Sequence, residues 1–286
     1  MPGRLSVLRW SLSQRSGIAL SVAVTALLAL SGCGAKQEPA EKGATSDVAA
    51  DATVRIAAAS DLQFALKGLV AKFNDTHPKK RVEATFGSSG SLYAQLANKA
   101  PFDMFLSADM SYPRKLIEAG LAAKESEFLY AIGHLVVWVP SASKLNLDTD
   151  GIKALADPAV KVIAMANPKH APYGRVAEEA LKSQGVYDDV KDRLVLGENV
   201  SQTAHFVQSG AADAGLIALS LALAPEMKAR GRYWSVPTDA YSRLEQGGVI
   251  MNDAKDAAAA GEFRGFMTGE EGKTILREYG FALPGE

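Results

Sequence analysis

A single cysteine in 286 residues rules out an internal disulfide framework and any zinc site built on thiolates. Four histidines, His77, His134, His170 and His205, are too few and too scattered for a His-rich metal centre. Neither sign of charge predominates: 31 basic and 32 acidic side chains give a formal net charge of −1, which argues against a nucleic-acid binder. Long hydrophobic runs are missing as well, none reaching the roughly 18–20 residues that span a bilayer. Neither a P-loop nor a GxGxxG turn occurs. Gly87-Ser88-Ser89-Gly90 lacks the glycine spacing of a nucleophile elbow, so no hydrolase signature stands out. Apolar residues are abundant at 48%, enough at this length for one large or two ordinary domains.

The N-terminus reads as an address. Arg4, Arg9 and Arg15 precede a 14-residue apolar run, Gly17 to Leu30, with no acid before Cys33. The run ends in Leu30-Ser31-Gly32-Cys33, which resembles a bacterial lipobox and implies cleavage before Cys33 and acylation of its thiol. Residues 1–32 are then a lipoprotein signal peptide, and their removal takes three arginines and no acid, moving the net charge from −1 to −4. Residues 33–52 are small, polar and charged, with no periodic apolar face, and are expected to form a flexible tether. The protein is therefore expected to be exported and held at a bacterial membrane as a periplasmic or cell-surface lipoprotein.

From Thr53 the pattern alternates. Val54–Ala59 reads as a buried strand, and Leu62, Leu66, Leu69 and Phe73 follow at helical spacing. Arg81–Phe86 and Met104–Leu106 read as further strands, each followed by a helical stretch. A long apolar strand is expected over Leu129–Val139, after which the alternation restarts and runs to a strand at Ala214–Ala218. The rhythm predicts an α/β protein of two lobes, each with a mainly parallel sheet flanked by helices. The expected boundaries are 53–133 for the first part of lobe 1, 134–232 for lobe 2, and 233–286 for a return to lobe 1.

In parallel sheets ligands gather beyond the carboxyl ends of the strands, where helices begin. Four such junctions carry small or hydroxyl residues: Ala59-Ser60-Asp61, Gly87-Ser88-Ser89-Gly90, Ala171-Pro172-Tyr173-Gly174 and Asn199-Val200-Ser201. Each offers unpaired N–H groups at the positive end of a helix, and none adds lysine or arginine. Singly they are ordinary helix caps; as a set they suit a fully ionised oxyanion. The four histidines, together with Asp103, Asp109, Asp213, Glu178 and Glu179, read as surface, packing, turn or capping residues.

These motifs, in this order, resemble the periplasmic molybdate-binding proteins of ABC importers. The similar stretches are Ala57–Ser60, Phe86–Leu92, Ala100–Asp109, Asn167–Gly174, Gly197–Val200 and Leu276–Phe281. The resemblance implies a class II periplasmic-binding-protein fold with a two-strand hinge, and capture of molybdate, and tungstate with it, in the cleft. Ser60 and Ser89 would bind through hydroxyl and backbone N–H, and Tyr173 and Val200 through backbone N–H. It further implies a monomer without a cofactor or direct protein–metal ligand, a membrane permease as partner and a separate cytoplasmic ATPase subunit. Two departures stand out. Ala218 takes the place where some members carry a strand tyrosine, which leaves Tyr173 either to compensate or to pack its ring against the hinge. Asp61 follows Ser60 beside the anion; its N–H can donate while its carboxylate turns away to cap the helix. A carboxylate facing the ligand would instead favour hydrogen phosphate. A phosphate or sulfate receptor, a ferric-ion receptor and an exported α/β hydrolase are the alternatives.

Overall fold

The computed structural model of the chain describes residues 52–286. The expected signal peptide and the expected acylation site, Cys33, lie outside the described residues. So does the tether apart from Ala52, which opens the first strand.

In chain order the strands are β1 (Ala52–Ala59), β2 (Lys80–Gly87), β3 (Met104–Ser107), β4 (Phe128–Gly133), β5 (Leu135–Pro140), β6 (Ile163–Ala166), β7 (Leu194–Gly197), β8 (Ala214–Ala218), β9 (Gly231–Ser235) and β10 (Leu244–Ile250). They form two five-stranded sheets, ordered β2-β1-β3-β10-β4 and β7-β6-β8-β5-β9. Both follow one plan: three parallel strands, then a neighbour running the other way.

A 3-10 turn, Ser60–Leu62, leads from β1 into α1 (Gln63–Thr76), and α2 (Ser89–Ala97) and α3 (Ser111–Glu118) follow β2 and β3. The second lobe carries α4 (Leu147–Asp150), α5 (Pro172–Ser183), α6 (Tyr187–Val190), α7 (Val200–Gln208), α8 (Leu219–Ala222) and α9 (Pro225–Arg230). After β10, α10 (Ala257–Thr268) and α11 (Glu270–Glu278) pack back on lobe 1, where Phe263 meets Phe73 edge-on at 5.2 Å.

Sequence decides these layers. Val54, Ile56, Ala57 and Ala58 in β1 are fully buried because helices cover both faces of a central strand. The edge strand β2 alternates instead and keeps Arg81, Glu83 and Thr85 exposed, which blunts its free edge. Ala59 pairs with Gly87, and Ala166 with Gly197. The carboxyl ends of neighbouring strands are thus level, so the helices that follow start along one rim in each lobe.

The crossings between lobes correct two expectations. The apolar run over 129–139 is not one strand: pairing stops at His134, with β4 bound to β10 and β5 to β8 and β9. The return does not begin at 233 either. Tyr233 pairs with Trp138 and Ser235 with Val136, so β9 completes the second sheet and the chain recrosses within residues 236–243. That second crossing contains a 3-10 turn, Thr238–Ala240, and Tyr241, whose hydroxyl accepts the Leu135 N–H at 3.1 Å.

Candidate functional site

The rims of the two lobes face each other across a small cavity of about 10 Å³. Lobe 1 contributes Ala59, Ser60 and Asp61 after β1, Gly87, Ser88 and Ser89 after β2, and Ala108 after β3. Lobe 2 contributes Ala171, Pro172 and Tyr173 at the start of α5, and Val200 at the start of α7. The residues singled out from sequence, Ser60, Asp61, Ser89, Tyr173 and Val200, therefore come together in one wall. So small a space excludes drug-sized ligands, whose pockets measure roughly 300–1,000 Å³.

Local chemistry turns this wall into a set of donors. Asn199 caps α7 by accepting the N–H groups of Ser201 and Gln202, both at 3.0 Å, and Val200 precedes them with no intrahelical carbonyl to bond. Pro172 opens α5 and has no N–H, so Tyr173 is the first residue of that helix able to donate. Ser88 caps α2, placing Ser89 in its first turn. The Ser89 hydroxyl accepts the Ala108 N–H at 3.0 Å and keeps its own proton to give. Ser60 is placed likewise, its oxygen 3.4 Å from the Ser201 N–H of the opposite lobe. Among the described residues, no lysine or arginine lines the cavity.

Asp61 is the one ionisable acid in this wall, and it is 1% exposed. The expected capping role is absent: no side chain caps the 3-10 turn. Instead Gln246 of β10 donates its amide to one Asp61 oxygen at 2.6 Å, while the other oxygen has no partner. The reason lies in β10, where an irregularity in pairing between Gln246 and Gly247 accompanies a fully buried Gln246 side chain. The same amide donates to the Tyr173 hydroxyl at 3.2 Å. Tyr173 thus lines the cavity at its base and ends at the hinge, where a side chain on Gly133 would strike its hydroxyl. Ala218, where some family members carry a tyrosine, is buried in β8 outside the cavity wall. Burial pushes the Asp61 carboxyl up from 3.8 to about 6, opposed chiefly by the Gln246 hydrogen bond. Burial, and then the charge of Asp61, hold the Tyr173 and Tyr130 hydroxyls well above their ordinary range.

The lobes are closed on one another. Gly90 N–H donates to the His170 carbonyl at 2.9 Å, and a Cβ on Gly90 would lie 2.6 Å from that oxygen. Ser88 Oγ lies 3.0 Å from His170 Nδ1, and Ser91 Oγ donates to Glu198 at 2.9 Å. Ser201 Oγ donates to Gln63 Oε1 at 2.6 Å, Ser220 Oγ to the Asp61 carbonyl at 2.8 Å, and Arg175 to Asp109 at 2.8 Å. His170 and Asp109, read from sequence as bland, are lobe-to-lobe contacts. The remaining acids hold local structure: Asp103 accepts the N–H groups of Arg55 and Lys255, both at 2.7 Å, and Asp213 those of Lys161 and Val162. Glu178 pairs with Lys182 and Glu179 with Arg175, each one helical turn on. His77 stacks on Phe73. Sequence reasoning missed Ala108, Ser88 and Gln246. Ser88 and Ala108 had a local signal, since Gly87–Gly90 and Ser107-Ala108-Asp109 are strand-to-helix junctions, whereas Gln246 had none.

Comparison with known proteins supplies the context. The bacterial extracellular solute-binding protein family matches residues 54–282. The molybdate-binding protein ModA of Rhodobacter capsulatus is 36% identical over 220 residues, covering 73% of this chain and 84% of that protein. The solved periplasmic molybdate-binding protein of Azotobacter vinelandii superposes with a TM-score of 0.76 at 33% identity, over 81% of this chain and 99% of that one. The substrate-binding domain of a putative molybdenum ABC transporter from Clostridium difficile follows with a TM-score of 0.62 at 25% identity, over 82% and 99%.

Proposed function

Since the chain belongs to the bacterial extracellular solute-binding proteins and is similar to their molybdate-binding members, we propose that it is the substrate-binding component of a molybdate ABC importer. It captures molybdate, and tungstate with it, in the interlobe cavity and delivers the anion to a membrane permease served by a separate ATPase. The observation that carries this reading is the cavity wall: four helix starts and two serine hydroxyls converge from both lobes, without a lysine or arginine. Helix N-termini and charge-assisted hydrogen bonds replace the hydration of a dianion without a counter-charge.

Each such bond contributes roughly 1.5–3 kcal/mol. Five or six of them, from Ser60, Ser89, Tyr173 and Val200, sum to about 7.5–18 kcal/mol, and the upper part of that range supports the roughly 8 kcal/mol of a micromolar complex after association costs. Sulfate, a smaller tetrahedron, cannot reach donors on both rims at once. Titration calorimetry of the purified protein with molybdate, tungstate, sulfate and phosphate tests the proposal. Tight binding of the first two and weak binding of the others is expected, and no heat with molybdate or tungstate refutes it.

One observation favours a second reading. The unpartnered Asp61 oxygen offers an acceptor to a proton-bearing anion, so a hydrogen phosphate receptor is the competing assignment, and the phosphate arm of the same titration decides it. The hydrolase alternative would need a free nucleophile, and the most suggestive arrangement is Ser88, His170 and Glu198. Ser88 is engaged there as the cap of α2, and the trio bridges the lobes as a contact of the closed form.

Leu30-Ser31-Gly32-Cys33 supports lipid anchoring at Cys33, with the folded part acting as a monomer beside the membrane. Cys33→Ser should leave the exported protein unacylated and free in the soluble fraction, which fractionation of expressing cells reads directly. Retention of the variant in the membrane fraction would remove the anchor.

A further inference from the structure

The oxyanion reading leaves Asp61 unexplained, because a carboxylate in the wall of a dianion site with no cation beside it is electrostatically misplaced. Two like charges so close cannot both stay ionised, and the group that can gain a proton does so. We infer that Asp61 is the proton-accepting residue of the site: it takes up one proton when the cleft closes on the anion, so that capture is coupled to protonation. This inference rests on the oxyanion reading and adds to it a charge state and a pH dependence.

The geometry carries it. Asp61 is fully enclosed between the lobes, one oxygen held by Gln246 and the other without a partner. A proton on that second oxygen breaks no existing hydrogen bond, and Gln246 holds the first oxygen as an acceptor in either charge state. The titratable groups facing it are the Tyr173 hydroxyl from α5 and the Tyr130 hydroxyl from β4, both neutral across the working range. From α8 only the Ser220 hydroxyl reaches it, at its carbonyl, and α7 brings Ser201 to the neighbouring Ser60. None of these supplies a positive charge. Burial, opposed chiefly by the Gln246 hydrogen bond, already raises the carboxyl to about 6 before the anion adds its charge. Molybdate is fully ionised at neutral pH, so the proton comes from solvent and settles on Asp61.

Calorimetry of the full chain at pH 7.5 in buffers of differing ionisation heat counts the protons. Uptake approaching one proton per molybdate is expected, with Kd weakening on the order of tenfold from pH 7 to pH 8. Asp61→Asn keeps the acceptor that Gln246 needs and should abolish both the buffer dependence and the pH slope. Should the variant fail to fold, the wild-type proton count decides by itself. Molybdate binding without proton uptake, or parallel pH slopes in both proteins, overturns the inference and leaves the oxyanion reading standing. Absence of molybdate and tungstate binding from pH 6 to 8.5 overturns both.

Discussion

Replacing Ser89 by alanine separates the two tasks of its hydroxyl. The oxygen accepts the Ala108 N–H at 3.0 Å, and the proton is left for the ligand. Losing a charge-assisted bond to an anion removes about 1.5–3 kcal/mol of binding, which weakens Kd by about 10- to 150-fold. Losing the acceptor leaves the Ala108 N–H unpaired in a residue only 2% exposed, at about 1–3 kcal/mol of stability. At roughly 2–4 °C per kcal/mol for a domain of this size, the ligand-free Tm should fall by about 2–12 °C. Ser60→Ala is the matched control. Its oxygen has only a long 3.4 Å contact to Ser201, so affinity should fall comparably while the ligand-free Tm hardly moves. Calorimetry with molybdate and differential scanning of the apo proteins read both quantities. A folded Ser89→Ala protein with affinity within twofold of wild type would refute the assignment of this hydroxyl as a donor.

Three further outcomes follow from the same geometry. Gly90→Ala places a Cβ against the His170 carbonyl at 2.6 Å, so the lobes should fold normally but close incompletely. Overpacking of about 1–3 kcal/mol translates to roughly 5- to 150-fold weaker anion binding, and small-angle scattering with saturating molybdate should show a less compact form. The Arg175–Asp109 bridge, half open to solvent at side-chain exposures of 39% and 21%, should matter little. A double-mutant cycle on Kd should give a coupling below about 1 kcal/mol. Asp61 should also mark the pH dependence of folding. Its native pKa of about 6 lies above 3.8, so the native state holds its proton where the unfolded chain has lost it. The stability gained is complete below pH 3.8 and is lost as pH rises through 6, at most about 3 kcal/mol for this fully buried group. Urea unfolding without anion should therefore show Asp61→Asn gaining on wild type between pH 4 and pH 7.5, whereas parallel profiles would contradict the burial argument.

Much of the fold was legible because its signals are local. The buried run of β1, the helical spacing from Leu62 to Phe73 and the small residues at each strand end all follow from neighbours within a few positions. What sequence hid was the assignment of strands to sheets. The apolar stretch through Phe128 to Val139 is interrupted only at Gly133-His134, yet the two halves bond to different sheets. Burial sets that pattern, and both halves are equally buried, so periodicity carries no record of the crossing. Tyr233 and Trp234 misled for a related reason: an edge strand with one exposed face resembles a connecting segment, and only pairing with β5 fixes its lobe.

The same distinction governs the site. Ser60, Ser89, Tyr173 and Val200 were readable because a helix start advertises itself through caps, hydroxyls and proline within its first turn. Ala108 was marked only by its place after β3, since its side chain is silent and its N–H serves the Ser89 hydroxyl. Asp61 stood in the right place, but the direction of its carboxylate depends on Gln246, 185 residues away, where a local irregularity in β10 accompanies the buried amide. Local rules assigned that carboxylate to helix capping, and the long-range partner reassigns it to the hinge. That difference decides the charge of the cavity. A carboxylate capping a helix in solvent would remain ionised and ignore the ligand, whereas one sealed between Gln246, Tyr173 and the anion must answer to all three. Affinity and protonation then become one equilibrium, set by a residue whose neighbours in sequence give no hint of it.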